Sequence, residues 1–390
     1  MQEPSFHPDA LPDLQPVHDL AEEQPTTGLG LCLSGGGYRA MLFHVGGLWR
    51  LNESGLLKDL TRVSSVSGGS ITAATLGLHW GGLQWEGGVA KNLEELLVTP
   101  VRTLAEETID VSSVLKGMLP FTSAGKRVAH AYREHLFGEA TLQALPDDAS
   151  GEGPRFVICA TSLETGVLFR FSRPYAADYR VGMIYEPEIA LADAVAASSA
   201  FPPVLSPFEL DLREAEWETV EGNTLVAPEW RDQIKLTDGG VYDNLGLEPV
   251  WNSCATVLIS DGGGRTSDDP DPPGDWPRQT IRVLKVIDNQ VRALRKRQAV
   301  GGFRAGLRRG AYWGIGSHVA DFELPDALDA SIELTRSLAE TPTRLKKLDA
   351  EHQERLINWG YLICDTAVRK WVKAGEEPPD RLPYPEAQLG

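Results

Sequence analysis

The chain has 390 residues, 42% of them hydrophobic and 24% charged, which is enough apolar material for a packed core. Its net charge of −18 repels nucleic-acid phosphates, so DNA and RNA are excluded as expected partners. Cys32, Cys159, Cys254 and Cys364 lie far apart without metal-ligand spacing and read as buried reduced thiols, not as a secreted disulfide framework.

Residues 1–27 read as a flexible N-terminal arm, rich in Pro, Asp and Glu as far as Gln24. The arm has neither the basic start nor the apolar stretch of a signal peptide. No run of about 18 apolar residues occurs, so no membrane span is predicted and a cytoplasmic location is expected. The apolar run Leu29–Leu33 predicts a buried strand that ends in Ser34-Gly35-Gly36-Gly37. A helical pattern follows from Tyr38 to about Glu53 and is closed by Ser54-Gly55. A second strand, Arg62–Val66, runs into Ser67-Gly68-Gly69 and an Ala/Leu-rich helix from Ser70 to about Trp80. Strand, glycine turn and helix, twice over, predict a parallel α/β sheet.

From about 84 to 146 the pattern is helical and amphipathic with polar loops. Arg155–Ala160 restarts the sheet, with Val167–Phe171 expected to pair beside it. Leu191–Ala200 reads as a small-residue helix stopped by Pro202-Pro203. Ala255–Ser260 and Ile281–Ile287 are predicted as two further strands, separated by an Asp/Pro loop from Ser267 to Pro277. The tail from about 328 is expected to be helical.

The first glycine turn offers several main-chain N–H groups at a helix N-terminus, suited to a phosphate or to the oxyanion of a tetrahedral intermediate. Gly35-x-Gly37-x-x-Ala40 even fits the dinucleotide-binding fingerprint. The second strand decides between these readings. A dinucleotide site needs an acid there for the ribose hydroxyls, whereas this strand ends in Ser65-Val66-Ser67-Gly68-Gly69. That arrangement looks like a nucleophile elbow, with Ser65 standing where the first glycine is expected. A serine nucleophile needs a base, and Thr237-Asp238-Gly239-Gly240 supplies a carboxylate on a tight turn. With no histidine between them, Asp238 would take the serine proton directly. Asp261-Gly262-Gly263-Gly264 is a rival acid-glycine turn after a strand. Ser123-x-x-Lys126 matches a Ser-x-x-Lys nucleophile pattern, but no strand precedes it, and chance explains it.

Taken together and in order, these segments resemble the patatin-like phospholipase family over residues 29 to about 250. The resemblance rests on Ser34-Gly35-Gly36-Gly37-Tyr38-Arg39, Leu42-Phe43-His44-Val45-Gly46 and the Ser67-Gly68-Gly69 turn. It also rests on Ala197-Ser198-Ser199-Ala200-Phe201-Pro202-Pro203 and on Asp238-Gly239-Gly240 with the trailing Asn244. It implies Ser67 as nucleophile, Asp238 as general base and then acid, and no metal or other cofactor. It implies Gly35, Gly36 and Gly37 as oxyanion donors with Arg39 holding the turn, and Gly69, Gly239, Gly240 and Asn244 as supporting positions. His44 then reads as a packing or hydrogen-bonding residue, not as a third catalytic member.

The implied fold is a three-layer α/β/α sandwich with a mostly parallel sheet over residues 28–325, followed by a helical C-terminal extension over 326–390. The implied reaction is cleavage of acyl esters of membrane phospholipid or another acyl lipid. The alternatives are an esterase, thioesterase or acyltransferase with the same dyad, or a catalytically silent lipid-binding protein. The stretch Arg292–Arg309 carries seven basic residues and no acid. It reads either as a solvated helix face or as a peripheral docking surface for anionic headgroups.

Overall fold

The computed structural model describes residues 25–109, 122–220, 222–264 and 268–390. Residues 1–24 of the expected N-terminal arm and Ser267 of the Asp/Pro loop lie outside the described residues, as does the side chain of Ser123.

The chain opens with β1 (Leu29–Leu33), α1 (Gly37–Glu53), β2 (Arg62–Val66) and α2 (Gly68–His79). A small hairpin, β3 (Trp85–Glu86) with β4 (Val89–Ala90), interrupts the helical region predicted after residue 84. It is followed by α3 (Thr99–Ala105) and α4 (Thr122–Tyr132). Then come β5 (Arg155–Ser162), β6 (Leu168–Phe171), β7 (Tyr175–Asp178), β8 (Gly182–Tyr185) and α5 (Leu191–Ser198). The middle of the chain forms β9 (Phe208–Asp211), β10 (Trp217–Glu218), β11 (Gln233–Asp238), α6 (Gly240–Asp243), α7 (Glu248–Trp251) and β12 (Thr256–Asp261). It ends with α8 (Trp276–Arg304), β13 (Arg309–Gly314), α9 (Ile332–Ala339) and α10 (Ala350–Trp371).

Five strands form the parallel heart of the sheet, in the order β5-β2-β1-β12-β13. Beyond β5 the sheet continues as an antiparallel meander, β6, β7, β8 and β10. β11 also joins β5, antiparallel, and carries β9 on its other side.

Strand alternation sorts side chains onto the two faces. On β1, Leu31 and Leu33 enter the large core under α1 and α2, while Cys32 faces the opposite core with Val250 and Trp251 of α7. On β12, Leu258 takes the first face and Val257 and Ile259 the second. Helices therefore cover both faces, and the expected three-layer sandwich is what forms. All four cysteines are buried and free.

The last helix, α10, lies along α1 at very close range. A Cβ built on Gly360 would overlap the Phe43 carbonyl, and one on Gly46 would lie 2.6 Å from the Tyr361 nitrogen. Only glycine permits that approach of two backbones. A buried ion cluster fixes the pair, with Arg50 Nε 2.8 Å from Asp365 and Arg369 Nε 3.0 Å from the same carboxylate.

One predicted element is overturned. Ile281–Ile287 is not a strand but lies within α8, a helix of 29 residues. Asp275 caps that helix by accepting from the Arg278 N–H at 3.1 Å, and Pro277 sits in the first turn.

Candidate active site

The site forms where the ends of β1, β2 and β11 meet. Ser67 sits between β2 and α2 with φ 51° and ψ −118°, a left-handed value that a residue with a Cβ rarely adopts. The surroundings enforce it. The Ser67 N–H donates to Ser198 Oγ at 2.9 Å, and the Ser67 carbonyl accepts from Ser70 N at 2.8 Å. Ser198 in turn donates to the Cys159 carbonyl at 2.7 Å, tying the elbow to β5. Glycine is needed at position 69, where a Cβ would lie 2.7 Å from the Ser34 carbonyl oxygen, and a side chain at 68 would run into the Gly37 carbonyl. Ser65 fits where a glycine was expected because its hydroxyl has partners. Ser70 Oγ donates to it at 3.1 Å and also meets Ser198 Oγ at 2.9 Å.

Asp238 ends β11, paired with Ala160 of β5. Its main chain is pinned on both sides, with Asp238 N donating to the Ala200 carbonyl at 3.0 Å and Thr161 Oγ1 donating to the Asp238 carbonyl at 2.9 Å. Its carboxylate accepts from Gly240 N at 2.7 Å, and the Ser67 hydroxyl lies close enough to influence it. Burial raises the Asp238 carboxyl to about 7; the Gly240 N–H and the neighbouring Ser67 hydroxyl oppose the rise and the nearby Asp288 carboxylate adds to it.

The first glycine turn stands against this pair. A Cβ on Gly35 would lie 3.2 Å from Ser67 Cβ. Gly36 and Gly37 take φ values of 148° and 61°, and among the described residues neither N–H has an intramolecular acceptor. Gly35 departs from the expected role, because its N–H already donates to the Asn244 carbonyl at 3.1 Å. An amide spent on a carbonyl is withdrawn from oxyanion binding, which leaves Gly36 and Gly37 as the donors on offer. Asn244 thus acts on the turn through its main chain.

Arg39 is buried and binds outward from the turn. Its Nε donates to the Gly262 carbonyl at 3.0 Å and its Nη2 to Thr343 Oγ1 at 3.0 Å, while its Nη1 reaches the Thr341 carbonyl. Arg344 completes the clamp, its carbonyl accepting from Tyr38 N at 3.0 Å. The first glycine turn is therefore held by residues about 300 positions downstream. Nothing local in the sequence signals Thr341, Thr343 or Arg344.

His44 lies beneath the turn. Its Nε2 is 2.9 Å from the Ser34 carbonyl and must donate, so its Nδ1 accepts from Ser260 Oγ at 2.8 Å. Burial lowers its pKa to about 4, and the ring is neutral at ordinary pH. It carries structure, not the serine proton. The rival Asp261 is also engaged elsewhere, accepting from Tyr312 Oη at 2.6 Å and from Gly263 N at 3.0 Å. Among the described residues no group of His, Cys, Asp and Glu is arranged to hold a metal ion.

A family model described as patatin-like phospholipase matches residues 31–251, more than half of the chain. The chain belongs to the patatin-like phospholipase family. All the segments singled out above, from the first glycine turn to Asn244, fall inside the matched span of this patatin-like chain. No curated protein matches it in sequence. Among solved structures it is similar to human GIVD cytosolic phospholipase A2, at 14% identity and TM-score 0.50, covering 87% of this chain and 58% of that one. The patatin-like chain therefore spans about three fifths of that relative's length. It is also similar to VipD from Legionella pneumophila, at 16% identity and TM-score 0.36, covering 88% of this chain and 66% of that one.

The basic stretch splits on inspection. Arg292 is buried beside Gly263 and Asn289. Arg295 pairs with Glu248 at 2.8 Å, and Arg308 donates to the Trp251 carbonyl at 3.1 Å. These three serve the fold, whereas Arg297, Arg304 and Arg309 remain exposed. No described helix is long and apolar enough to cross a membrane.

Proposed function

We propose that this chain is a lipid acyl hydrolase of the phospholipase A type, a serine esterase working through a Ser67–Asp238 dyad. The observation that carries the reading is that the Ser67 elbow stands beside Asp238, a buried carboxylate whose pKa is raised to about 7. A carboxylate in water is too weak a base to help a serine at neutral pH. One titrating near neutrality is matched to the task.

In the proposed cycle Ser67 Oγ attacks the acyl carbonyl carbon while Asp238 takes its proton. The N–H groups of Gly36 and Gly37 hold the oxygen as it becomes negative. Collapse breaks the ester bond, and protonated Asp238 returns its proton to the departing alcohol oxygen, leaving the acyl group on Ser67. Water then attacks the acyl-enzyme with Asp238 again as base, releasing the fatty acid. Membrane phospholipid is the substrate class the family points to.

Hydrolysis of a chromogenic acyl ester by the purified protein, with loss in Ser67→Ala and in Asp238→Asn, is the expected result. A fluorophosphonate should add covalently to Ser67, read by peptide mass spectrometry. If both variants hydrolyse the ester at the wild-type rate, the dyad assignment is wrong.

A further inference from the structure

The first two thirds of α8, Trp276 to Leu294, are unlike the rest of the surface. Trp276 is 77% exposed, Val283 49%, Ile287 53% and Leu294 58%. Their spacings of seven, four and seven residues put them on one helical face, with Leu284 on its flank. Seven of the thirteen exposed large apolar residues among the described ones sit on this one helix, and all but Ile281 lie on or beside this face, so they make a patch and not a scatter. An amphipathic helix normally turns its apolar stripe inward; this one turns it to solvent. Arg278, Arg282 and Lys285, spaced four and three apart, occupy the opposite side. In a chain of net charge −18, residues 276–294 carry those three cations and the buried Arg292 and, after the capping Asp275, a single acid, Asp288. The helix packs against α6, the turn that follows Asp238, so it runs beside the site.

We infer that the Trp276–Leu294 face of α8 is the surface by which the protein lies on an anionic lipid bilayer. The inference deepens the hydrolase reading, since it names how that site would meet an insoluble substrate. An apolar stripe enters the acyl boundary, while Arg and Lys on the other side reach back to headgroup phosphates. Opposite charge between this helix and the lipid also offsets the repulsion that the acidic body would otherwise suffer.

The test uses the full chain with a Ser67→Ala background, so that binding is read without hydrolysis. Co-sedimentation with vesicles of phosphatidylcholine and phosphatidylglycerol is compared with pure phosphatidylcholine vesicles. Val283→Glu with Ile287→Glu is expected to weaken partitioning to the anionic vesicles more than about tenfold. On the wild-type background the same pair should leave hydrolysis of a water-soluble short-chain ester unchanged. All four native cysteines are buried, so a single Leu294→Cys can be labelled selectively with a polarity-sensitive dye. Its emission should shift to the blue on anionic vesicles, and that of a Lys285→Cys label should not. Undiminished binding by the double glutamate variant overturns the inference. So does a blue shift that follows protein concentration without vesicles, which would assign the face to a second copy of the chain. Retained soluble-ester hydrolysis in Ser67→Ala, with vesicle binding intact, would sink the dyad alone, so the two readings fail separately.

Discussion

Replacing Asp238 by Asn separates the proposed catalytic use of this side chain from its cost to the fold. Burial raises the carboxyl to about 7, against an ordinary aspartate value of about 3.9. The folded protein thus holds this proton more tightly than the unfolded chain does. Below about pH 4 both states are protonated and the site costs nothing. As pH rises from about 4 to about 7 the unfolded chain ionises first, and stability falls. Above about 7 the full penalty applies, about 4 kcal/mol at 1.36 kcal/mol for each pH unit. Asparagine keeps an oxygen for the Gly240 N–H and never ionises. Asp238→Asn is therefore expected to be inactive yet more stable than wild type, by little at pH 4 and by about 4 kcal/mol at pH 8. Urea unfolding of both proteins at pH 4, 6 and 8 measures the gap. A gap that does not change with pH, or an asparagine variant weaker throughout, refutes the reasoning. In the wild type, kcat/KM should climb with pH through about 7, where the base becomes ionised.

Three further outcomes are expected. Ser67→Gly and Ser67→Ala should both abolish ester hydrolysis, but the glycine variant should be the more stable by about 1 kcal/mol in thermal unfolding, because it accepts φ 51° without strain. Gly37→Ala places a Cβ 2.6 Å from the Arg344 carbonyl at φ 61°, so kcat should fall by more than about a hundredfold; Gly55→Ala, also at positive φ but in open space, should leave kcat alone. Gly360→Ala should reverse the usual sign of such a change in a helix: alanine ordinarily adds about 1 kcal/mol, whereas here it meets the Phe43 carbonyl and should lower the unfolding midpoint sharply.

The first half of the sheet was legible because its strands are short apolar runs ended by glycine turns. β1 and β2 have the predicted limits, and α1 starts one residue earlier than expected. The run at Ile281–Ile287 misled because four of its seven residues are β-branched and none is buried, so burial had left no helical imprint to read. The start signal, Asp275 with Pro277, was present in the sequence. Of the meander strands, β6 was expected beside β5, whereas β7 and β8 have only four residues each, too few for alternation to show. At the site, the glycine turns could be placed from residue type, but which amide remains free could not. That depended on the Asn244 carbonyl, which every residue type supplies. Ser198 stood inside a recognisable block, yet its bond to the Ser67 amide follows from three-dimensional packing.

The clamp formed by Thr341, Thr343 and Arg344 has a bearing on biosynthesis. Translation reaches these residues long after the turn that Arg39 braces, 302 positions separating Arg39 from Thr341. While they are still within the ribosome, Gly37 and Tyr38 lack the carbonyl that seats them. The order of emergence thus leaves the amide cradle unfinished until about 300 further residues have been made, and a product terminated before them would carry the elbow and the carboxylate without it.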